Sequence, residues 1–565
     1  MTEPSALVAE LASGEKVWAG TPLTRRRKLL DQMRALVADQ AESWVEQAAL
    51  IKQLPAGSPL LGEEWTSGPW AVAGYLRALA ETLTALEAGR DPLADVKLGH
   101  APGGRVTLDV LPADVFDQLL LSGFSAQVWT RPGVTPDEVR RGAGLAQRTP
   151  ERTDGVALVL GAGNITSIAP LDVLYQLYAH NRVVVLKLNP VTDPLLDVFS
   201  AVFAPFVELG VVRIVTGGAE VGAALAHDER VGAVHMTGSE ATHDAVVWGV
   251  GAAAEANKAA GTPLLAKPIT SELGGVGPVI VVPGRWSAAD IRYQARHVAT
   301  QRLHNDGHNC IAAQVVVVAA DWPQKREFLA ALRTALREAP ARAAWYPGTT
   351  NRVAAARTTY GDSADAVGGT PERTLLHGLD PADATEDAFH TEYFAPVLGV
   401  TELPGNAPEF LTAAVELANE RLHGTLGANI IVDPRTARAL GARLDEAVTA
   451  LRYGTIGVNA WTGVGYLTPR ASWGAYPGHP LDDVCSGRGV VHNALLLDQV
   501  ERTVVRGPFR PAPRTLLSGG RSLMPKPPWF VDNRTAATTG RRLTAFAARP
   551  SWRALPGIFA SALRG

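Results

Sequence analysis

Between Gly155 and Ser239 the chain alternates short apolar runs with helix-like stretches: GVALVL at 155–160, VVVLKL at 183–188, VVRIVTG at 211–217 and VGAVHMTGS at 231–239. A continuous apolar run of this length suits a strand buried on both faces. Strands that alternate with helices in this way imply a right-handed, mostly parallel α/β sheet. Ligands of such sheets sit beyond the carboxyl ends of the strands. Those ends read GAGN, KLNP, TGG and TGS, which marks them as the place for a nucleotide.

A second α/β region begins near Pro268, with VGPVIVV at 276–282, a helix-like stretch from Ala288 to Leu303, and IAAQVVVVA at 311–319. Further strands are expected at 395–403 and 427–433. Ahead of both regions, helical spacing covers Pro22 to Leu54 and Ala71 to Leu86, and extended segments between Gly103 and Gly133 read as a hairpin or projecting arm.

Composition narrows the function. Lys and Arg total 53 against 56 Asp and Glu in 565 residues, a net charge of −3 that argues against a dedicated nucleic-acid binder. With 46% hydrophobic residues the chain can bury a substantial core. Two cysteines, Cys310 and Cys485, are too few for a disulfide framework or a Cys-rich zinc module. A cytoplasmic protein without a secretory leader is expected, since the N-terminus has acids before its first Lys and no uninterrupted apolar core. Charge is unevenly distributed, however. Residues 501–565 hold 11 Arg and 1 Lys against Glu501 and Asp532, together with eight prolines that disfavour a long regular element. This basic tail is expected to wrap the acidic body rather than reach an outside anionic surface.

The segment HNDGHNC at 304–310 sets a cysteine after a turn and just before an apolar strand. A nucleophilic thiol needs such a polar, accessible position, because the thiolate is the attacking species. His304 and His308 are spaced i, i+4, as zinc ligands on a helix would be, but the intervening Asn305, Asp306 and Gly307 read as turn. No metal site is therefore expected.

Four segments carry a pattern, this one within the third, in order: GAGN ending at Asn164 with KLNP beginning at Lys187, TGS at 237–239, ELGG at 272–275 ahead of GHNC at 307–310, and EYFAPV at 392–397. Together they make residues 15–500 resemble a divergent member of the aldehyde dehydrogenase superfamily. The resemblance implies an α/β fold of two parallel-sheet domains, a nucleotide-binding domain over 1–268 and a catalytic one over 269–475. It also implies a small β arm at 103–133 used in oligomer formation, followed by a return segment and the basic tail over 476–565.

Carried over by that resemblance, Cys310 attacks an aldehyde carbonyl, and the Asn164 amide with the Cys310 backbone N–H receives the oxyanion. Glu272 activates the water that hydrolyses the resulting thioester. Lys187 resembles the residue that holds the adenosine ribose, Gly238 and Ser239 stand where a helix N-terminus meets the pyrophosphate, and Glu392 and Phe394 resemble the residues at the nicotinamide ribose and ring. The coenzyme is NAD or NADP: Pro190, three after Lys187, replaces an acid that many members use to recognise a free 2′-hydroxyl. A small-molecule aldehyde and further copies of the chain are the implied partners. A CoA-acylating enzyme and a catalytically inactive nucleotide-binding relative are the alternatives. His308 and Cys485 read as structural, and residues 240–268 as an added loop or helix near the cofactor cleft.

Overall fold

The computed structural model describes residues 4–369, 372–517, 520 and 522–565. Its strands, in chain order, open with β1 (Leu98–Ala101), β2 (Arg105–Leu111) and β3 (Ser125–Thr130). The alternating region supplies β4 (Val156–Leu160), β5 (Val183–Lys187), β6 (Val212–Val215), β7 (Val231–Gly238) and β8 (Ile269–Leu273). Next come β9 (Gly277–Val281), β10 (Ala313–Ala319), β11 (Ala364–Gly368), β12 (Arg373–Leu379), β13 (Val397–Leu403), β14 (Gly427–Ile431) and β15 (Thr455–Val458). Four pieces close the series: β16 (Ser472–Trp473), β17 (Gly487–Arg488), β18 (Val491–His492) and β19 (Val500–Arg506).

Two large sheets result. The first runs β17-β8-β7-β4-β5-β6 and is parallel except for β17 at its edge. Its strands β4 and β5 are buried almost throughout, as their unbroken Val, Leu and Ala content requires. From β4 the order departs to β5 on one side and β7 on the other, so the crevice of this sheet opens at the ends of β4 and β7. That point is occupied by GAGN and TGS. The second sheet runs β1-β2-β3-β19-β15-β14-β9-β10-β13-β12-β11, with β9 and β10 fully buried at its centre.

Strand β8, which carries Glu272, pairs with β7 in the first sheet. Of the two readings of the segments at 103–133, the hairpin is the one seen, with β2 and β3 paired antiparallel. The two strands flank the short helix Val115–Leu120, and β3 pairs antiparallel with β19, itself parallel to β15 of the same chain.

The tail also holds more regular structure than its prolines suggest, because the stretch between Pro528 and Pro550 is free of them and forms the 13-residue helix Ala536–Ala548. It lies on its own chain. Arg510 clasps Asp290 with bonds of 2.7 and 2.8 Å, and Arg541 pairs with Glu42. Against the upward push of burial, Arg510 and Ser287 hold the Asp290 carboxyl down at about 2. The residues at 240–268 form two short helices, Glu240–Val247 and Gly251–Ala260, the second with no buried side chain. Among the described residues no helix is long and apolar enough to cross a membrane.

The helix Leu23–Ile51 packs along Ala71–Glu87 and buries Arg26 completely. Its guanidinium lies 4.0 Å from the centre of the Trp18 ring and donates to the Gln147 and Asn181 side chains and to the carbonyls of Trp18, Thr21 and Pro150. Replacing Arg26 with leucine strands those acceptors in the interior. We expect a loss of about 3 kcal/mol of unfolding free energy, read from the urea midpoint at unchanged slope.

Candidate active site

Three residues, Gly274 to Val276, carry the chain from β8 in one sheet to β9 in the other. This crossing puts Glu272 at the seam between the sheets, buried, where the Trp473 indole N–H donates to Oε1 at 3.0 Å. Oε2 has no hydrogen-bond partner among the described residues. Burial pushes this carboxyl up to about 7, against the lowering effect of its contacts with Cys310 and Trp473. Gly274 is glycine for a spatial reason: a Cβ there would collide with the Glu392 carboxylate.

The thiol loop follows the helix Ala288–Leu303, which starts at a Ser287–Asp290 capping box. The helix cannot continue, because Asn305 and Asp306 adopt positive φ of 54° and 55°. Buried Arg302 ties the loop together by donating to the carbonyls of Gly307 (3.0 Å), Ala313 (3.1 Å) and Ala395. From the opposite side the Glu63 carboxylate, paired with Arg342, accepts the Asn305 backbone N–H at 2.9 Å. Gly307 has φ +80°, and a Cβ on it would lie 2.7 Å from the Ala395 carbonyl oxygen. Cys310 emerges half-buried just before β10. Burial first, and the facing Glu272 charge second, raise its thiol well above the ordinary range. The resting group is therefore a protonated thiol beside a carboxyl that can take its proton.

Asn164 comes from the loop after β4. Its side-chain amide donates to the His308 carbonyl at 2.9 Å, and Asn305 donates to the Asn164 carbonyl at 3.1 Å, so the two loops are laced together. His308 is structural: its ring nitrogens meet the Asn305 carbonyl (2.9 Å) and Thr349 (2.8 Å), and burial holds its pKa well below the usual value. His304 instead faces Asn309 and lies 4.7 Å from the Trp461 ring. The two histidines thus take separate partners, and among the described residues no cluster of His, Cys, Asp and Glu is arranged to hold a metal.

All eight residues singled out from the sequence line one cleft of about 690 Å³: Asn164, Lys187, Gly238, Ser239, Glu272, Cys310, Glu392 and Phe394. Lys187 ends β5, and burial lowers the pKa of its ammonium. Ser239 caps the helix Glu240–Val247 by accepting the Thr242 N–H at 3.2 Å. Burial raises the Glu392 carboxyl to about 7 although Gly275 and Arg302 pull it down, and Phe394 stands at φ +44°. Cys310 also lines a second, smaller chamber of about 40 Å³ walled by Ile165, Ile168, Trp461, Tyr466, Leu467 and Trp473. The thiol is common to both spaces.

Sequence reasoning missed Trp473, Glu63, Arg352 and Tyr346. Arg352 and Tyr346 line the large cleft, and the Arg352 Nε has no hydrogen-bond partner among the described residues. Trp473 lies in the Gly- and Pro-containing segment SWGAYPG, where a lone indole carries no motif. Glu63 had no signal at all, since a Glu-Glu pair beside a turn reads as surface.

Residues 147–471 match the model of the aldehyde dehydrogenase family. The chain belongs to that family. Among curated aldehyde dehydrogenases it is similar to D-glyceraldehyde dehydrogenase (NADP(+)) of Thermoplasma acidophilum, 26% identical over 270 residues, which are 44% of this chain and 49% of the relative. It is also similar to succinate-semialdehyde dehydrogenase [NADP(+)] of Deinococcus radiodurans, 29% identical over 206 residues, or 34% and 41% of the two chains. The chain thus spans about half, or less, of the length of these relatives. Solved aldehyde dehydrogenases share the fold over most of the chain. The enzyme KauB of Pseudomonas aeruginosa superposes with a TM-score of 0.57 at 17% identity, covering 89% of this chain and 88% of that one. The gamma-glutamyl-gamma-aminobutyraldehyde dehydrogenase of Burkholderia cenocepacia gives 0.59 at 19% identity with the same coverage.

Proposed function

We propose that this chain oxidises an aldehyde to a carboxylic acid with NAD or NADP, through a thioester on Cys310. The observation that carries the reading is the position of Cys310 between a large polar cleft and a small aromatic chamber, with Glu272 facing its thiol. A dinucleotide fits the cleft: its volume lies in the range of cofactor sites, a capped helix N-terminus opens on it, and Lys187 and the unsatisfied Arg352 Nε supply positive charge. Gly238 and Ser239 would meet the pyrophosphate, Lys187 the adenosine ribose, and Glu392 with Phe394 the nicotinamide end. The chemistry such a cofactor supplies is acceptance of a hydride.

The chain's own groups do the rest. Glu272 takes the thiol proton, and the Cys310 sulfur forms a bond to the aldehyde carbon. The carbonyl oxygen becomes an oxyanion, held by the Asn164 amide and the Cys310 backbone N–H. Loss of hydride from that carbon leaves a thioester on Cys310. Glu272, having released its proton to solvent, then draws a proton from water as the water attacks the thioester, and the acid leaves with Cys310 restored. The presence of Glu272 favours water over CoA as the acceptor.

The test is reduced-nicotinamide absorbance with NAD and NADP in parallel over a panel of aldehydes, with mass spectrometry of the quenched protein. Turnover together with an acyl mass on the Cys310 peptide supports the reading. Nucleotide binding without either sinks it. The Trp473 indole stabilises ionised Glu272, so Trp473→Phe is expected to move the acidic limb of the pH profile to higher pH, which a pH series of kcat would detect.

Absence of an acid at position 190 removes a like-charge penalty against a 2′-phosphate. Pro190→Glu is accordingly expected to raise the NAD to NADP ratio of kcat/KM by about tenfold, measured with one aldehyde under both coenzymes.

A further inference from the structure

We propose that the C-terminal tail builds the outer half of the aldehyde channel, and that the substrate is an aldehyde carrying an extended, uncharged apolar chain. This rests on the reading of Cys310 as the nucleophile. A third cavity, of about 110 Å³, lies between the helix Ala71–Glu87, the helix Val115–Leu120 and the tail. Its tail wall includes Met524, Trp529, Leu543, Phe546 and Phe559. Thr66 and Leu467 line both this cavity and the Cys310 chamber, so the two spaces adjoin across that pair.

Most polar groups at the junction and chamber are already bonded, the exceptions being the Asn309 Oδ1 and the Trp461 indole N–H, which have no partner among the described residues. The Thr66 hydroxyl donates to the Gly62 carbonyl at 2.8 Å and the Ser67 hydroxyl to the Glu63 carbonyl at 2.6 Å, so both are occupied within their own helix. Around the chamber, the Tyr466 hydroxyl is bonded to Ser167, and the Asn309 amide to His304. No Lys or Arg lines the chamber among the described residues, and burial drives the His304 pKa down to about 4, leaving that ring neutral. A carboxylate-bearing aldehyde would find no counter-ion there. Of the charged groups on the outer cavity, Arg77 pairs with Asp114 at 3.3 Å and Arg470 with Glu81 at 2.8 Å, while the Asp117 carboxyl accepts the Ala113 backbone N–H at 2.9 Å and burial raises its pKa. The aldehyde carbon is fixed at Cys310, so an alkyl chain leaving it past Leu467 runs into the tail-built cavity. Burial of each methylene there favours longer chains.

The full chain is assayed with n-alkanals from propanal to dodecanal and with succinic semialdehyde. The expected kcat/KM rises roughly three- to fourfold per methylene until the channel is filled, and succinic semialdehyde does no better than propanal. A flat series, or preference for the semialdehyde, overturns the inference while leaving the dehydrogenase reading intact. Gly74 faces the outer cavity, with open space around its missing Cβ except for Pro469 at 3.2 Å. Gly74→Leu should lower the decanal-to-propanal ratio of kcat/KM more than tenfold, and an unchanged ratio counts against the tail-built cavity. A binding arm needs no turnover: 1-decanol should slow iodoacetamide labelling of Cys310 far more than 1-propanol at equal concentration, as read by peptide mass. Equal protection by both alcohols overturns the proposal even if no aldehyde is oxidised.

Discussion

Cys310→Ala is expected to lower aldehyde oxidation by at least about 10⁴-fold, the scale on which removal of an enzyme's nucleophile acts. The size follows from the site. Asn164, Glu272 and the cleft all remain in the variant, but nothing is left to form the covalent bond, and binding alone recovers little of the rate. Alanine fits a half-buried position three residues before the apolar strand β10, so the fold is retained and reduced nucleotide should still bind with fluorescence enhancement. A variant that binds nucleotide normally and oxidises aldehydes at the wild-type rate would remove Cys310 from the mechanism.

Glu272→Gln is the second large effect. Glutamine keeps an oxygen for the Trp473 indole and matches the shape of the buried carboxyl, yet it cannot accept a proton. A loss of about 10²- to 10⁴-fold in kcat is expected. The thioester should then outlive the first turnover, so hydroxylamine, which attacks thioesters without a general base, should yield hydroxamate in amounts equal to the enzyme. The pH profile carries the same information. With its carboxyl raised to about 7, Glu272 is a base only in the ionised form, so wild-type activity climbs through pH 7 and levels off above it. The glutamine variant should lose that limb, and any remnant belongs to Glu392, which burial also raises to about 7. Undiminished turnover that depends on added CoA would instead favour the acylating reading.

The parallel sheets and the strand-end motifs were legible because both depend on local order: unbroken apolar runs need burial on two faces, and Gly-rich ends follow from strand-to-helix turns. The eight residues spread from Asn164 to Phe394 follow instead from the resemblance to aldehyde dehydrogenases carried by the ordered motifs, and they line one cleft. The remainder depends on long-range packing. Trp473 reaches Glu272 from a distant loop, and a lone buried indole has no code. Glu63 becomes a support of the thiol loop only once Arg342 and Asn305 close on it. The proline content of the tail hid the helix Ala536–Ala548, whose apolar face forms part of a cavity wall. That ELGG belongs to the first sheet depends on the pairing of β8 with β7, which no local pattern announces.

Strand β19 lies between β3 and β15, joining the earliest strands of the chain to one of its last parallel ones. During synthesis this gap stays open until the chain has been made through Arg506, because β1 to β3 reach the large sheet only through β19. Until then β3 and β15 each present an unpaired edge to other nascent chains. Emergence of β19, rather than growth of the N-terminal part, is the moment at which the sheet can seal. Expression at reduced translation rate should therefore prolong the aggregation-prone interval and lower the soluble yield.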